Sequence, residues 1–584
     1  MRKTAIPRRW LALGLLLGAL PAPLHAARLK VEVDGVKRDL ERNIRSALSL
    51  EKLDRDELTE ERIRRLHADA PEEIEEALQP FGYYRPQVRS ELRQEKDQWI
   101  ARYEVDPGPP VKIASVDLQI TGDGADDPRF REIAARFPVK QGAVLFHPDY
   151  EQGKQALVDL AAEEGYLDAT FRANEVRVSM ARYQADVVLH YDTGPRYRFG
   201  EVRFNQNVLD PDLLKGYVTF KPGEPLDVNK VLEMQNAISD SPYWSRVEVV
   251  TRQDQAKGLE VPIDVDLVPS KTMRFSGGVG YGTDSGPRVN GAWELRRLNR
   301  RGHRAEAEVR ASQIEQNLRV SYFIPGPYPR TDVLSYNLGY DREDTDTSLS
   351  ETGLIGAQLT QARGGWREAF SLTYQREDFE VGLDQGVSNL LVPGASWERV
   401  KADDRIFATK GYRLLGSFQG AEASLLSDSS FLQADVQGKV IRTLGERNRV
   451  IGRAEVGYTV TDEFRELPPR FRFFAGGDRS VRGFAYQALG EEDEAGNVIG
   501  GKALLVGSLE YELWFPEMWG QKLGAAVFYD AGNAFKAFGG ALEQGAGVGL
   551  RWRSPIGPVR ADFAWALSEE GRPFRFHLNI GPDL

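Results

Sequence analysis

Residues 334–340 read Leu-Ser-Tyr-Asn-Leu-Gly-Tyr, and this strict alternation decides the fold of the second half of the chain. Its leucines and tyrosines occupy one side of an extended strand, because successive side chains of a β-strand point to opposite faces. The other side carries only small or polar residues. The stretch therefore predicts a β-strand with one apolar, aromatic face and one polar face.

The same alternation recurs from about residue 271 onwards, for example in residues 274–282, 523–530 and 574–580. A soluble β-sandwich also alternates, with its apolar faces in a core. A transmembrane barrel turns the apolar face to lipid and the polar face to its lumen. Long alternating segments, with short turns at some ends and long polar loops at others, favour the barrel. Residues 271–584, at roughly 20 per strand with its connection, allow about 16 antiparallel strands.

Residues 28–268 contain a repeat of another kind, in which a helix end is followed by a strand. Tyr83, Tyr166 and Tyr243 mark equivalent positions, 83 and 77 residues apart. Each unit is predicted to be strand, two helices, two strands, with bounds of 27–108, 109–193 and 194–268; three unrelated α+β domains are the alternative. The apolar helix faces that support the repeat are Ile74, Ala77, Leu78 and Phe81, then Leu157, Leu160 and Ala161, then Val231, Met234 and Ile238.

Residues 1–26 have the layout of a secretory signal peptide. Four basic residues precede a short apolar stretch and a small-residue site at Ala26. An uncleaved anchor is the alternative. Removal of these residues takes the formal net charge from −11 to −15, which argues against nucleic acid as a partner.

Enzymatic chemistry finds little support in the sequence. The chain has no cysteine and six scattered histidines, so we expect no metal site, no cofactor and no catalytic residue. Residues 496–503 resemble a phosphate-binding loop except at Ala503, where Ser or Thr would be needed to hold magnesium. A hairpin loop is the better interpretation.

One motif lies in a long connection between strands, at Val481-Arg482-Gly483-Phe484. Alternation on the two following strands turns Glu510 and Asp530 towards the lumen. If the loop folds back into the lumen, Arg482 can pair with both carboxylates, which suits the forked donors of a guanidinium. A solvated arginine and two unrelated acids are the alternative.

These segments resemble the POTRA-barrel superfamily of outer-membrane assembly and translocation proteins. The resemblance rests on residues 481–484, on the strands 507–511 and 528–532, and on the N-terminal array of units. The three units, with residues 278–288, 472–480 and 579–584, are most similar to the TamA subfamily, the outer-membrane subunits of the translocation and assembly module. The resemblance implies three POTRA domains in the periplasm of a Gram-negative bacterium, followed by a barrel in outer-membrane lipid.

The resemblance also implies a non-enzymatic role in the assembly of unfolded outer-membrane proteins, autotransporter-like clients among them. Its implied partner is a TamB-like, inner-membrane-anchored periplasmic protein that docks on the POTRA domains. A BamA-like central assembly factor is the alternative within the superfamily. A passive porin or receptor is the alternative from another class.

The seam between the first strand, 274–282, and the last strand, 574–580, is the one pairing that no hairpin enforces. Five of the nine residues in the first strand are Gly or Ser, which weaken a strand. We therefore expect a lateral gate there, although these glycines could instead relieve crowding in the lumen. The predicted seam residues are Ser276, Gly278, Gly280, Arg575, His577 and Asn579.

Overall fold

The structure is a computed structural model that describes residues 28–53, 59–96, 98–404, 406–517, 520–554 and 557–580. The predicted signal peptide lies outside these ranges. The described residues form three small α/β sheets followed by one antiparallel sheet of sixteen strands. The predicted fold class is therefore confirmed.

The first two α/β domains share one topology, in which the last strand lies at the centre of a three-stranded sheet, parallel to the first strand and antiparallel to the middle one. The predicted helix faces are buried in their cores, as Ile74, Leu78 and Leu157 show. The elements are β1 (Arg28–Asp34), α1 (Arg38–Ala47), α2 (Glu60–Leu78), β2 (Gln87–Glu95), β3 (Gln98–Asp106), β4 (Lys112–Thr121), α3 (Pro128–Ala135), α4 (His147–Glu163), β5 (Thr170–Ser179) and β6 (Gln184–Asp192).

The third domain repeats the order of elements, and its sheet runs β7-β9-β8. Met234 and Ile238 of its second helix are fully buried. None of the described helices has the length and apolar character needed to cross a bilayer. The elements are β7 (Arg198–Asn205), α5 (Pro211–Lys215), α6 (Val228–Ser239), β8 (Trp244–Thr251) and β9 (Glu260–Pro269).

The sixteen-stranded sheet is formed by hairpins between successive strands, except where a long loop separates β20 from β23. Its strands, with the two short strands of that loop, are β10 (Met273–Gly282), β11 (Gly286–Leu295), β12 (Arg304–Ala311), β13 (Glu315–Pro325), β14 (Val333–Asp344), β15 (Ser348–Arg363), β16 (Trp366–Val381), β17 (Asp384–Ala402), β18 (Lys410–Ala421), β19 (Phe431–Leu444), β20 (Asn448–Val460), β21 (Glu491–Glu492), β22 (Val498–Gly500), β23 (Ala503–Trp514), β24 (Lys522–Phe535), β25 (Glu543–Ser554), β26 (Gly557–Ala566) and β27 (Phe574–Ile580).

Burial along these strands is the reverse of that in a soluble sandwich. Apolar side chains such as Leu338 and Leu509 are exposed on the outer face, whereas charged side chains such as Glu512, Asp530 and Arg551 are buried on the inner face. Lipid is the solvent that accounts for an apolar exterior around a polar lumen. The choice of a barrel over a sandwich is therefore confirmed.

The barrel is nearly closed. The order of strands begins with β10 and ends with β27, and no ladder joins these two strands within the described residues. They meet at Thr283 and Leu578, where the Thr283 N–H donates to the Leu578 carbonyl at 3.4 Å. The Leu578 N–H donates in turn to Thr283 Oγ1 at 3.2 Å.

Candidate functional site

The long connection between β20 and β23, residues 461–502, is called the inserted loop below. Its motif is deeply buried, with Val481 fully buried and Phe484 5% exposed. Both side chains belong to an apolar cluster shared with the inner faces of several strands. The other members of this cluster are Ala475, Leu489, Leu504, Val506, Ala534 and Ala566.

Arg482 reaches carboxylates from three different strands. Its Nε and Nη2 donate to the two oxygens of Asp530 at 2.7 and 3.0 Å, the bidentate geometry that suits a guanidinium. Its Nη1 donates to Glu510 at 2.7 Å and to Asp562 at 3.0 Å. The guanidinium carbon lies 3.4 Å from the centre of the Phe528 ring. With Arg482 only 5% exposed, removing it would strand buried charge, at a cost of roughly 3–5 kcal/mol where water is excluded.

The ion pairs continue from this cluster along the inner wall. Arg551 donates to Glu510 at 2.6 Å, to Asp562 at 2.5 Å and to Glu512 at 3.0 Å. Glu512 also accepts from Arg449 at 2.7 Å. Buried charges of this kind are tolerated only when each is paired, so the members of this chain depend on one another.

The chain of ion pairs ends at the turn between β17 and β18. Arg449 Nε donates to the Ala408 carbonyl at 3.0 Å. The guanidinium carbons of Arg449 and Arg553 lie 4.7 and 4.4 Å from the centre of the Phe407 ring. Trp514 packs edge-on against the same ring at 5.0 Å. The turn is thus fixed by cation–π and aromatic contacts at the end of the lumen opposite to the inserted loop's entry.

Hydrogen bonds within this turn hold its shape. Asp403 accepts from the Thr409 hydroxyl and from the backbone N–H groups of Asp404, Thr409 and Lys410. The hydroxyl of Thr409, followed by the Lys410 N–H, lowers the pKa of the Asp403 carboxyl to about 2. Its charge, and with it the cap on the turn, is retained at neutral pH.

Gly483 is required by its surroundings. Its φ of 101° is unfavourable for other residues, and a Cβ there would lie 2.8 Å from the backbone of Trp565 and Ala566. Gly545 approaches the loop from β25, and a Cβ on it would lie 1.9 Å from the Arg482 carbonyl oxygen. Glycine at both positions lets the loop backbone lie directly against the barrel wall.

The inserted loop touches both sides of the seam. On one side, the Asp478 N–H donates to Asp284, in the turn after β10, at 2.7 Å. On the other side, Asn579 donates to the Asp478 carboxylate at 2.8 Å, and the Gly483 N–H donates to His577 Nε2 at 3.2 Å. The loop therefore joins the first hairpin to the last strand where the sheet itself does not.

The structure places the predicted seam residues at different levels. His577 and Asn579 lie against the inserted loop, whereas Arg575 is exposed. Because Leu578 lies opposite Thr283, the last strand approaches β10 near its loop end. No backbone hydrogen bond joins Ser276, Gly278 or Gly280 to β27 in the described ranges. Among the described strands, these three residues pair only with β11.

A polar cavity of about 530 Å³ lies in the lumen beside the motif. Arg413, Arg453, Arg479 and Glu455 are among the side chains that line it. No group of His, Asp or Glu able to hold a metal ion occurs in the part of the chain that the structure describes. The site is thus an electrostatic anchor for a loop.

Sequence reasoning missed several members of this site. Asp562 and Arg551 lie on β26 and β25, and alternation with Phe563 and Leu550 could have placed both in the lumen. No signal could have identified Phe407, because it lies in a turn without periodicity.

Comparison with known proteins agrees with this architecture. Residues 298–583 match the Omp85 superfamily domain. Residues 30–107 match the family described as POTRA domain TamA domain 1. Residues 197–269 match the POTRA family described as the surface antigen variable number repeat.

Two curated relatives are both named outer membrane protein assembly factor BamA. The protein from Nitratidesulfovibrio vulgaris is 24% identical over 83% of this chain and 64% of its own length. The protein from Neisseria meningitidis serogroup B is 24% identical over 68% of this chain and 58% of its own length. The chain thus spans about three fifths of the length of these relatives.

Among solved structures, BamA from Haemophilus ducreyi lacking POTRA domains 1–3 is similar, with a TM-score of 0.66. It is 18% identical, and the match covers 81% of this chain and 99% of that one. At this identity the likeness shows the fold.

Fold and site together define an outer-membrane β-barrel preceded by POTRA domains, with a loop anchored in its lumen. Its barrel half is similar to the Omp85 superfamily domain, which residues 298–583 match.

Proposed function

We propose that this protein is a non-enzymatic assembly and translocation factor, which inserts autotransporter-like and other β-barrel clients into the outer membrane through a lateral gate. The observation that carries the proposal is that no ladder joins β10 to β27 in the residues that the structure describes. A client strand can pair with the free edge of β10 while the barrel opens towards lipid. Hydrogen bonds are then exchanged and none is left unmade in the bilayer.

The inserted loop supports this proposal because it spans the seam. Asp478 contacts the turn after β10 and the end of β27 at once. A loop held by Arg482 keeps the two strands together without a ladder. Displacement of the loop would free both strands for a client.

The POTRA domains are proposed to lie in the periplasm and to guide clients towards the gate. In the described part of the first domain, β2 pairs only with β3 and is exposed along most of its length. Such an edge can accept an extended strand from a client or a partner. We propose that a TamB-like, inner-membrane-anchored protein docks here, because residues 30–107 match the first POTRA domain of TamA.

A BamA-like role as the central assembly factor is the second candidate. The names of the curated relatives favour it. A passive porin is disfavoured because the lumen is occupied by the inserted loop and its ion pairs.

Cross-linking at the seam tests the gate. The chain has no cysteine, so Thr283→Cys with Leu578→Cys introduces a single pair at the point where the strands meet. Oxidation should lock the seam and stop assembly of an autotransporter-like client in proteoliposomes, and reduction should restore it.

The matched control is Val309→Cys with Leu318→Cys, which links two strands that are already paired in the sheet, away from the seam. This disulfide should leave assembly unchanged. Full activity of the quantitatively cross-linked seam would refute the gate.

The partner is tested with a photo-cross-linking residue in the full-length chain. At Arg89, on the exposed β2, it should capture an inner-membrane-anchored periplasmic protein. At Arg42, on α1 of the same domain and equally accessible, it should not. Equal capture at both positions, or none at Arg89, would contradict docking at this edge.

A further inference from the structure

The turn between β11 and β12 is strongly basic. Residues 296–304 contain five arginines and one histidine with no acidic residue, in a chain whose formal net charge is −11. Such a concentration of positive charge in an acidic chain creates a local positive potential that attracts anions.

One side of this turn is fixed to the third POTRA domain. The Tyr243 hydroxyl donates to the Gly302 carbonyl at 2.5 Å, and the Asp210 N–H donates to the Arg300 carbonyl at 2.8 Å. Arg300 also donates to the Asp210 carboxylate at 3.2 Å. The charge of Arg300 is therefore paired within the protein.

The other side of the turn continues the lipid-facing surface of the barrel. Phe275 and Trp293 are paired across β10 and β11, are both exposed, and have stacked rings 6.5 Å apart. Met273 and Leu295 form the next outward-facing pair, two residues closer to the third POTRA domain. Aromatic side chains at this level mark the edge of the bilayer in outer-membrane barrels.

Further towards the POTRA domain, the next positions on the outer face of the same strands are basic. The Arg296 N–H donates to the Thr272 carbonyl at 2.8 Å, so the ladder extends beyond Met273. Alternation then puts Lys271 and Arg297 opposite each other on the outer face. Just before β12 the equivalent position is His303, whose Nδ1 lies 2.7 Å from the hydroxyl of the lipid-facing Tyr322.

Arg301 adds an exposed cation beside Lys271, Arg297 and His303. No carboxylate lies within ion-pair distance of Lys271, Arg297 or Arg301 in the described portion of the chain. Three cations thus lie unneutralised just beyond an aromatic row, at the depth of lipid headgroups. Their natural counterion there is a phosphate diester.

We propose that Lys271, Arg297 and Arg301 form a binding surface for anionic phospholipid headgroups of the inner leaflet, beside the first strand of the barrel. A basic residue near an anionic membrane surface contributes about 1 kcal/mol. The bound headgroups would hold the first hairpin and the attached POTRA domain at a fixed depth. The inference rests on the barrel's place in the membrane and is independent of client assembly.

A local fluorescence measurement tests this surface. A fluorophore on Met273→Cys, in the cysteine-free full-length chain, reports the lipids beside the patch. In nanodiscs, headgroup-spin-labelled phosphatidylglycerol should quench it more than spin-labelled phosphatidylcholine at equal mole fraction. Each charge lost among Lys271→Gln, Arg297→Gln and Arg301→Gln should lower this preference by up to about fivefold, and the triple variant should bring it to parity.

The matched control is a triple variant in the second POTRA domain, Arg131→Gln with Arg136→Gln and Arg172→Gln, all exposed. It should keep the wild-type preference. Unheated samples of every variant should migrate faster in SDS than boiled ones, which shows that each barrel is folded.

Two results would overturn the proposal. One is equal quenching by the two lipids in the wild type, or a preference that survives in the triple variant. The other is loss of the preference when inorganic phosphate replaces chloride at the same ionic strength, since the surface would then take free phosphate.

Discussion

At the scale of single residues, Arg482 holds the inserted loop, because it satisfies carboxylates from three strands at once. Arg482→Ala leaves Asp530 and Glu510 buried without this partner, so the barrel should lose roughly 3–5 kcal/mol where the site is dry. Proteolysis of residues 461–502 should become faster. Arg479→Ala, three residues away and exposed, is the control. If the two variants are cleaved at the same rate, Arg482 does not anchor the loop.

Gly545 tests the same anchoring without changing any charge. A Cβ at this position would lie 1.9 Å from the backbone oxygen of Arg482, so Gly545→Ala should push the loop away from the wall. Overpacking of this kind typically costs about 1–3 kcal/mol. Gly353→Ala, on β15 with nothing within 4 Å of the added methyl group, is the control. Equal loop protection in the two variants would contradict the close approach.

Part of this site could be predicted from the sequence. Alternation alone assigned Glu510 and Asp530 to the lumen face, since only the local period is needed. The convergence of Asp562 and Arg551 on the same point depends on the order and tilt of distant strands. No single strand carries that information.

At the scale of elements, the turn between β17 and β18 is a second anchor, at the end of the lumen. Phe407→Ala removes the ring that packs against Arg449, Arg553 and Trp514, which should cost roughly 3–5 kcal/mol as for other buried aromatics. The temperature at which the barrel loses its fast SDS mobility should fall. Ile406→Ala, at an exposed neighbouring position, should leave it unchanged. A similar fall in both variants would argue against docking of the turn.

The junction of the first two POTRA domains is predicted to weaken in acid. Tyr84 and His147 are joined by a hydrogen bond of 2.7 Å, and burial lowers the pKa of His147 below its usual value. A lowered pKa stabilises the neutral imidazole in the folded state. Its contribution is therefore present above the ordinary histidine pKa of about 6.5 and is lost as the pH falls through the folded value.

Hydrogen exchange of residues 147–163, corrected for the intrinsic rate, measures this effect. Protection should decrease as the pH is lowered in the wild type. It should stay level in His147→Gln, which cannot be protonated in this range. Parallel pH profiles of the two proteins would rule out His147 as the cause.

The secondary-structure elements were easier to predict from the sequence than the turns and the site. The helix faces and the strand alternation follow from periods that a few residues reveal, and both are confirmed in the fold. The positions of Phe407 and Thr409 in the turn after β17 were not predictable, because they are set by Asp403 and by aromatic contacts with distant strands.

At the scale of the whole molecule, the central feature of the described residues is a sixteen-stranded sheet whose ends meet without a ladder and are joined by a loop. Closure of a barrel normally removes its edges. Here β10 pairs only with β11 among the described strands, so its other backbone edge carries no ladder. We expect this edge to receive the client strand.

The most direct test is the register of a stalled client on β10. Single cysteines at Tyr281 or Val279, on the same face of the strand, should each form a disulfide with a cysteine in the last strand of the client. Because antiparallel pairing fixes the register, moving the cysteine from Tyr281 to Val279 should move the preferred client position two residues the opposite way. The same partner for both positions, or no disulfide at all with a client that is being assembled, would contradict pairing at the seam.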